Sequence, residues 1–289
     1  MPPLPLPRHV LDALLERALA EDLGEGTDLT TSLLVEGDLI ANAAIISRVD
    51  GVLAGGILLA PLFARLDARV RVWLEVEEGG RLSAGATIAR LEGPAAAILT
   101  GERVALNLAA RASGVATLTR RYVERAGPRA RIADTRKTTP GLRALERYAV
   151  RCGGGHNHRF NLADGVLIKD NHLAVSMSVA DAVRRARAGA PHPVRLEVEV
   201  ETVEQAREAR EAGADILLLD NMSLEAMRQV VEEHSGHVLL EASGGVTLER
   251  VADIAATGVD VISVGALTHS AASLDLSLEM AVRASSEAG

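Results

Sequence analysis

From residue 131 onward, the sequence alternates short apolar segments with amphipathic helical segments, and this alternation constrains the possible folds. Strands are predicted at 131–134, 166–169, 196–200, 216–220, 238–242 and 261–264, with helices at 203–212, 224–233 and 248–256. Such an alternation requires a parallel sheet with right-handed crossovers. No G-x-G-x-x-G segment follows a strand and opens a helix, so a dinucleotide-binding fold is disfavoured. We predict a (β/α) barrel, incomplete because the pattern supplies six strands.

The residues before 131 follow different patterns. Their predicted elements are a first helix that ends at Gly24, strands at 43–49 and 70–76, and a helix at 57–66. Glycine turns separate these short strands, which is typical of an antiparallel sheet. The stretch 95–126, rich in Ala, Leu and Arg, is predicted to be a helix that breaks near Gly114. The N-terminal part is therefore expected to be an α+β module, with 95–126 linking it to the barrel.

Composition disfavours several classes of function. A net charge of −8 and an aromatic content of 2% argue against nucleic-acid binding. No apolar run approaches the roughly 18 residues of a membrane span, and the first residues lack the apolar core of a secretory signal. Cys152 is the single cysteine, so no intrachain disulfide can form, which suits a reducing cytoplasm. The expectation is a cytoplasmic protein that binds neither membrane nor nucleic acid.

Positive charge is concentrated in one part of this acidic chain. Residues 131–172 carry eight of the 31 Lys and Arg side chains but only four acids. The chain has two lysines, Lys137 and Lys169, and both lie in this window. A local excess of cations predicts a site for a small anion. Because arginine is used elsewhere, the two lysines mark positions that need a compact ammonium.

The predicted strands end on residues that are suited to chemistry. Their carboxyl ends carry Lys137, Lys169, Glu199, Asp220, Ser243, Gly244, Gly245, Gly265 and Ala266. Barrel enzymes place their active sites at this edge of the sheet, so we predict that these residues form one site. The glycines of the last two loops leave backbone N–H groups available to a phosphate, and we expect 243–245 to open the following helix.

The charged residues predict a polyanionic substrate. Arg136, Arg159 and the two lysines supply more cations than one phosphate requires. Glu199 and Asp220, on successive strands, are suited to hold Mg²⁺, to bind sugar hydroxyls or to stabilise a developing positive charge. Glu197 and Glu201 lie in phase with Glu199, so the pattern alone does not separate the three. The histidines of this region, His156, His158 and His172, lack tight zinc spacing and are expected to form hydrogen bonds.

Several motifs are spaced along the sequence: Asp-Thr-Arg-Lys-Thr-Thr-Pro-Gly at 134–141, the run 146–159 with its Gly-Gly-Gly-His-Asn-His-Arg end, Leu-Ile-Lys-Asp-Asn-His at 167–172, Glu-Val-Glu-Val-Glu at 197–201, Leu-Asp-Asn-Met at 219–222 and Glu-Ala-Ser-Gly-Gly at 241–245. Together with segments 21–31 and 101–107, they resemble the quinolinate phosphoribosyltransferase family. The resemblance spans nearly the whole chain, and its long central run is highly specific.

This resemblance implies a fold and a reaction. It implies an N-terminal α/β sandwich domain, 1–114, to which a C-terminal tail, 270–289, returns, followed by an open (β/α) barrel domain, 115–269. The implied reaction converts quinolinate and phosphoribosyl pyrophosphate to nicotinate mononucleotide, pyrophosphate and CO₂ in NAD biosynthesis, with Mg²⁺. The resemblance also implies a homodimer with sites shared between subunits, and it allows a hexamer.

The family's motifs also imply roles for individual residues. The implied substrate-binding residues are Arg103 from the partner subunit, Thr135, Arg136, Lys137, His158, Arg159, Lys169, Glu199, Asp220, Ser243, Gly244, Gly245, Gly265 and Ala266. The cations would bind the quinolinate carboxylates and neighbouring phosphates, and the two glycine loops would bind the 5′-phosphate. The implied catalytic residues are Lys137, Lys169, Glu199 and Asp220, with Glu199 and Asp220 also holding Mg²⁺, mostly through pyrophosphate.

Three other hypotheses compete with this one. A paralogue of the same fold, found in molybdenum-related transport operons, would act on another substrate. A non-catalytic anion-binding protein could use the same barrel, although Glu199, Asp220 and both lysines argue against it. A barrel aldolase would form a Schiff base on Lys137 or Lys169, and borohydride trapping tests that directly.

Overall fold

The computed structural model describes residues 5–36, 38–174 and 178–282. The helices in these residues are α1 (Arg8–Leu23), α2 (Leu29–Leu34), α3 (Leu59–Leu66), α4 (Ala95–Ala126), α5 (Arg143–Cys152), α6 (Asp170–Ala174), α7 (Val179–Gly189), α8 (Val203–Glu211), α9 (Leu224–His234), α10 (Val251–Ala255) and α11 (Ala266–His269). The strands are β1 (Ile40–Ser47), β2 (Gly51–Val52), β3 (Arg71–Leu74), β4 (Arg81–Leu82), β5 (Thr87–Pro94), β6 (Arg131–Ala133), β7 (Val166–Ile168), β8 (Leu196–Val200), β9 (Ile216–Asp220), β10 (Leu239–Ser243), β11 (Val261–Ser263) and β12 (Leu276–Val282).

The chain divides into two compact units. The first contains residues 1–118, 138–154 and 270–289, and the second contains 119–137 and 155–269. The family-implied division at 114/115 stays a prediction. None of the helices in the described ranges is both long and apolar enough to cross a membrane.

The first unit is built on an antiparallel sheet of order β12-β1-β5-β3, with β2 and β4 paired separately. This confirms the antiparallel α+β module. β12, near the C-terminus, pairs with β1, so that Leu278 lies opposite Ile45. The core is apolar: Ile45, Leu62, Phe63 and Ile88 are fully buried. Burial of such side chains stabilises a fold by roughly 1.5–3 kcal/mol each.

One expectation for this unit was wrong. Helix α4 runs without interruption through Gly114, for 32 residues. A side chain at Gly114 would collide with the backbone carbonyl of Ala272. The glycine is therefore explained by the close passage of the C-terminal segment over the helix, and it does not break the helix.

The second unit is the predicted parallel sheet, in the order β6-β11-β10-β9-β8-β7. Each strand from β7 to β10 lies beside its successor, and β11 pairs with β6. This order is that of a barrel left open between β6 and β7, which confirms the predicted fold class. Leu217, Leu219 and Leu240 are fully buried, as strands covered on both faces require.

The segment 155–158 lies alongside β6 at this opening. His156 donates its backbone N–H to Ile132 O at 2.7 Å and accepts a hydrogen bond from the Asp134 backbone N–H at 3.0 Å. The carboxylate of Asp134, which is fully buried, accepts hydrogen bonds from the His158 backbone N–H at 2.8 Å and from Asn157 Nδ2 at 2.5 Å. Asp134 therefore fixes the segment that carries His158 and Arg159.

Candidate active site

The carboxyl ends of the parallel strands in the second unit surround one cavity of about 750 Å³. This volume lies within the range of small-molecule sites, about 300–1,000 Å³. The predicted site residues that line it are Thr135, Arg136, Lys137, His158, Arg159, Lys169, Glu199, Asp220, Ser243, Gly244, Gly245, Gly265 and Ala266. The structure therefore brings together the residues predicted at separate strand ends, and it adds His158 and Arg159, which the family motifs implied.

Arg103 is the predicted site residue that does not line this cavity. It lies on α4, within the first unit, and its side chain is exposed. Its predicted contribution to the site of a partner subunit stays a prediction.

The two lysines follow the strands that flank the opening of the barrel. Lys169, after β7, points its Nζ at Glu199 Oε2, 3.1 Å away on the neighbouring strand β8. Lys137 follows β6, and its backbone carbonyl accepts a hydrogen bond from Thr268 Oγ1 at 2.7 Å. A Cβ on Gly265 would lie 2.9 Å from Lys137 Cδ, so the lysine stem lies against this glycine. The absence of a side chain at 265 makes room for Lys137.

Two arginines add to the positive charge. Arg159 donates from Nη1 to Gly165 O at 2.8 Å, which fixes the side chain against the loop that precedes β7. Burial, followed by the nearby charge of Arg136, lowers the pKa of Arg159. Since two guanidinium groups repel each other here, an anion bound between them would relieve that repulsion.

His158 is held at the cavity wall by two buried glutamates. Its Nε2 lies 3.1 Å from Glu197 Oε2 and 3.5 Å from Glu241 Oε1, while its Nδ1 accepts the Arg159 backbone N–H at 2.7 Å. Burial lowers the pKa of His158, but the hydrogen bond to Glu197 and the charges of Glu197, Glu241 and Asp134 outweigh it, so the pKa is raised. Both ring nitrogens are thus in contact with protein groups, and direct binding of a substrate carboxylate by His158 stays a prediction.

Glu241 is a cavity-lining residue to which sequence reasoning assigned no role. The residue is 4% exposed, and its Oε1 makes no hydrogen bond to the described residues. Burial and the charge of Glu197 raise the pKa of Glu241 to about 7, although His158 acts in the opposite direction. The signal that could have identified it is an acid in the middle of a strand that is otherwise apolar.

Two sets of donors could hold a metal ion. The predicted Mg²⁺ ligands, Glu199 and Asp220, end adjacent strands and offer hard oxygen atoms, which Mg²⁺ prefers. The donor atoms of His158, Glu197 and Glu241 lie within 4.8 Å of one another. His158 forms a hydrogen bond with Glu197 and an ion-pair contact with Glu241, and these contacts account for the second cluster without a metal ion.

The glycine loop after β10 differs from its predicted form. Gly244 and Gly245 adopt φ of 85° and 56°, which glycine tolerates best. Helix α10 begins at Val251, three residues after the predicted start at 248, and a turn in which the Val251 backbone N–H donates to Thr247 O at 3.0 Å precedes it. The other loop does lead directly into a helix, since α11 begins at Ala266.

The chain also matches known proteins along most of its length. A model of the quinolinate phosphoribosyl transferase N-terminal domain matches residues 28–113, and a model of the C-terminal domain matches residues 115–279. The chain belongs to the quinolinate phosphoribosyltransferase family. The resemblance predicted from the sequence motifs is therefore confirmed.

Relatives within this quinolinate phosphoribosyltransferase family are similar over nearly their whole length. The nicotinate-nucleotide pyrophosphorylase (carboxylating) of Mycobacterium leprae (strain TN) is 43% identical over 273 residues, covering 92% of this chain and 95% of the relative. The Homo sapiens protein of the same name is 40% identical over 281 residues, covering 95% and 93%. The crystal structure of NadC from Streptococcus pyogenes superposes with a TM-score of 0.93 at 40% identity, covering 97% of this chain and 100% of that one.

Proposed function

We propose that this protein transfers the phosphoribosyl group of phosphoribosyl pyrophosphate to quinolinate and releases CO₂, forming nicotinate mononucleotide for NAD biosynthesis. The observation that supports this proposal most directly is the single cavity that combines four Arg and Lys side chains with Glu199 and Asp220. This charge pattern suits two substrates that are both polyanions. Membership of the quinolinate phosphoribosyltransferase family supports the same reaction.

Substrate recognition follows from charge. Arg136, Arg159 and Lys169 would bind the two carboxylates of quinolinate, because charge-assisted hydrogen bonds are the strongest available and planar guanidinium groups match carboxylates. His158 would complete this side of the site. The low aromatic content agrees with a substrate held by charge pairing, and not by stacking.

The phosphoribosyl donor would bind on the opposite side of the same cavity. The backbone N–H groups of Ser243–Gly245 and Gly265–Ala266 would bind its 5′-phosphate, as loops after the last two barrel strands commonly do. Lys137, with Thr135 beside it, would bind pyrophosphate oxygens. Glu199 and Asp220 would lie near the ribose.

The reaction places positive charge first on the sugar and then on the pyridine ring. Breaking the bond to pyrophosphate gives the anomeric carbon oxocarbenium character, which the carboxylates of Glu199 and Asp220 stabilise electrostatically. The quinolinate nitrogen then forms the new C–N bond and becomes cationic. Loss of the adjacent carboxylate as CO₂ leaves its electron pair on a ring carbon stabilised by that charge, and a proton replaces the carboxylate.

We propose Mg²⁺ as cofactor. The carboxylates of Glu199 and Asp220 fit the ion chemically, and Lys169 would partly neutralise Glu199 in its absence. When bound, Mg²⁺ neutralises the leaving pyrophosphate. We further propose a cytoplasmic homodimer in which Arg103 of each subunit enters the site of the other, with hexamers as a larger assembly.

A radiochemical assay tests the function. With quinolinate labelled in its 2-carboxylate, phosphoribosyl pyrophosphate and Mg²⁺, the protein should release labelled CO₂ and form nicotinate mononucleotide in equal amounts. Nicotinate in place of quinolinate serves as the control substrate and should give no turnover. Turnover with nicotinate and none with quinolinate would contradict the assignment. Absence of all turnover would favour the anion-binding alternative, and a borohydride-trapped adduct on Lys137 or Lys169 would favour the aldolase.

A further inference from the structure

Asn221, immediately after β9, has an unusual backbone conformation. Its φ of 52° makes it the one non-glycine residue with positive φ among the described residues. Asparagine tolerates this left-handed region better than most residues, but the conformation still has an energetic cost. A non-glycine residue held there in a substrate cavity, which Asn221 lines, points to a specific requirement for its side chain.

The contacts of Asn221 show what that conformation achieves. Its Nδ2 donates to Asp220 Oδ2 at 2.8 Å, and its backbone N–H donates to Ser243 O at 3.0 Å. Strands β9 and β10 pair so that Asp220 lies opposite Ser243. Asn221 therefore connects the carboxylate at the end of one strand to the glycine loop at the end of the next.

Gly244 is adapted to this connection. A Cβ at Gly244 would collide with the side-chain amide of Asn221, approaching its Nδ2 to 2.7 Å, and the φ of Gly244 is 85°. Only glycine gives both the left-handed backbone and the space for the amide. The amide of Asn221 thus lies directly against the backbone of the loop that is proposed to bind the 5′-phosphate.

We propose that Asn221 is a positioning residue for the phosphoribosyl donor. Its amide fixes the Asp220 carboxylate through Oδ2 and holds that carboxylate at a set distance from the Ser243–Gly245 loop. The ribose and the 5′-phosphate belong to one molecule, so the groups that bind them must keep a fixed separation. The amide binds Asp220 through Oδ2, so Oδ1 would be the oxygen that faces the donor or its metal ion. This inference rests on the proposed function.

The variant Asn221→Gly tests the side-chain amide independently of the backbone conformation, because glycine adopts the same positive φ but has no amide. We expect kcat/KM for phosphoribosyl pyrophosphate to fall roughly 10-fold or more, within the 10- to 100-fold range typical of residues that orient a binding group. The dissociation constant for quinolinate, measured by calorimetry, should change less than about threefold, since its ligands lie on other strands. Asn161→Gly is the matched control, because Asn161 Oδ1 accepts a local hydrogen bond from Ala163 at 2.7 Å outside the cavity.

A double-mutant cycle with Asp220→Ala tests whether Asn221 acts through Asp220. The quantity measured is binding of phosphoribosyl pyrophosphate with Mg²⁺, which needs no turnover. Asn221→Gly should weaken binding by the native protein roughly tenfold and binding by the Asp220→Ala variant less than twofold, because coupled residues are not additive. Equal effects in both backgrounds would overturn the proposal, as would native binding by Asn221→Gly.

A second variant tests the proposal if Asn221→Gly does not fold. Should Asn221→Gly lose its cooperative thermal transition, Asn221→Asp keeps the size and the tolerance of positive φ but places a carboxylate against Asp220. It should lose at least as much affinity for the donor, and native affinity would contradict the proposal. If the native protein binds the donor but does not convert quinolinate, the proposed function fails while the binding cycle still decides the role of Asn221.

Discussion

Lys169 Nζ lies 3.1 Å from Glu199 Oε2, so a predicted catalytic cation and a predicted catalytic acid form an ion pair across two neighbouring strands. The lysine side chain is 45% exposed, whereas that of Glu199 is 11% exposed. Because the ammonium is nearly half exposed and lines the cavity, a substrate carboxylate can reach it while Glu199 stays beside it. The pair therefore holds Lys169 in place before substrate binds.

Conservative replacement of either lysine should abolish most activity. Lys137→Arg and Lys169→Arg keep the charge, but the planar guanidinium is wider than an ammonium and would displace the bound anions. For Lys137 the space beside Gly265 is already filled by the lysine stem. We expect kcat/KM to fall by at least about tenfold with an unchanged circular dichroism spectrum. Arg184→Lys, at an exposed ion pair on α7, is the control and should stay fully active, whereas near-native turnover of a Lys→Arg variant would refute this requirement.

Local pattern predicted most of the second unit. The predicted bounds of β8 and β9 match the structure residue for residue. Strand β8 is marked by strict alternation of apolar residues with glutamate, and β9 by a short apolar run that ends at Asp220. Gly114 shows the limit of this reasoning. Glycine is a poor helix former, which suggested a break at this position. The structure shows instead that glycine is needed at 114 because Ala272, far along the chain, packs against it. Long-range packing of this kind leaves no local signal.

The sequence predicted the site residues that lie at strand ends. It did not predict the contacts that those residues make with partners elsewhere in the sequence. Glu197, Glu199 and Glu201 share one alternation, but only the structure separates Glu197, which binds His158, from Glu199, which binds Lys169. Glu241 meets His158 from a position 83 residues away in sequence, so no spacing rule connects the two. Asn221 is identified by its φ, which a sequence does not display.

Stability should fall with rising pH because of Glu241. Its pKa is about 7 in the folded chain, against 4.5 for an ordinary glutamate, so the folded state binds this proton more tightly. The resulting stabilisation is fully present below about pH 4.5 and is lost as pH rises through 7, and the shift corresponds to about 3 kcal/mol. The raised pKa of His158 acts in the same direction.

The variant Glu241→Gln cannot ionise and should lose this part of the pH dependence. Urea unfolding at pH 5, 6, 7 and 8 should give free energies of unfolding that decline less steeply for the variant than for the native protein. The difference between the two should grow by up to about 3 kcal/mol across this range. Parallel curves for the two proteins would show that Glu241 does not titrate as its burial requires.

The buried ion pair of the first unit should be far more important for stability than an exposed one. Arg111 donates from Nε and Nη2 to Glu146 Oε1, at 3.0 and 2.7 Å, and the Glu146 side chain is fully buried. Arg111→Met would leave that charge unpaired and should lower the free energy of unfolding by about 3–5 kcal/mol. The control, Arg48→Met, removes a 3.0 Å pair with Glu279 that is half exposed, and should cost at most about 1 kcal/mol. Equal losses in urea unfolding would contradict this assignment.

Mixing two inactive variants tests the proposed sharing of sites. Arg103 is exposed on α4 and does not line the cavity of the second unit, so we expect its guanidinium to act in the site of a partner subunit. Arg103→Ala and Lys137→Ala should each be inactive alone. After subunit exchange, verified by mass spectrometry of differently tagged chains, half of the dimers are mixed, and each mixed dimer contains one site with both residues intact. Activity should therefore recover to roughly a quarter of the native value, as expected for a two-fold symmetric dimer. No recovery with exchange verified would place Arg103 in the site of its own chain or outside the reaction.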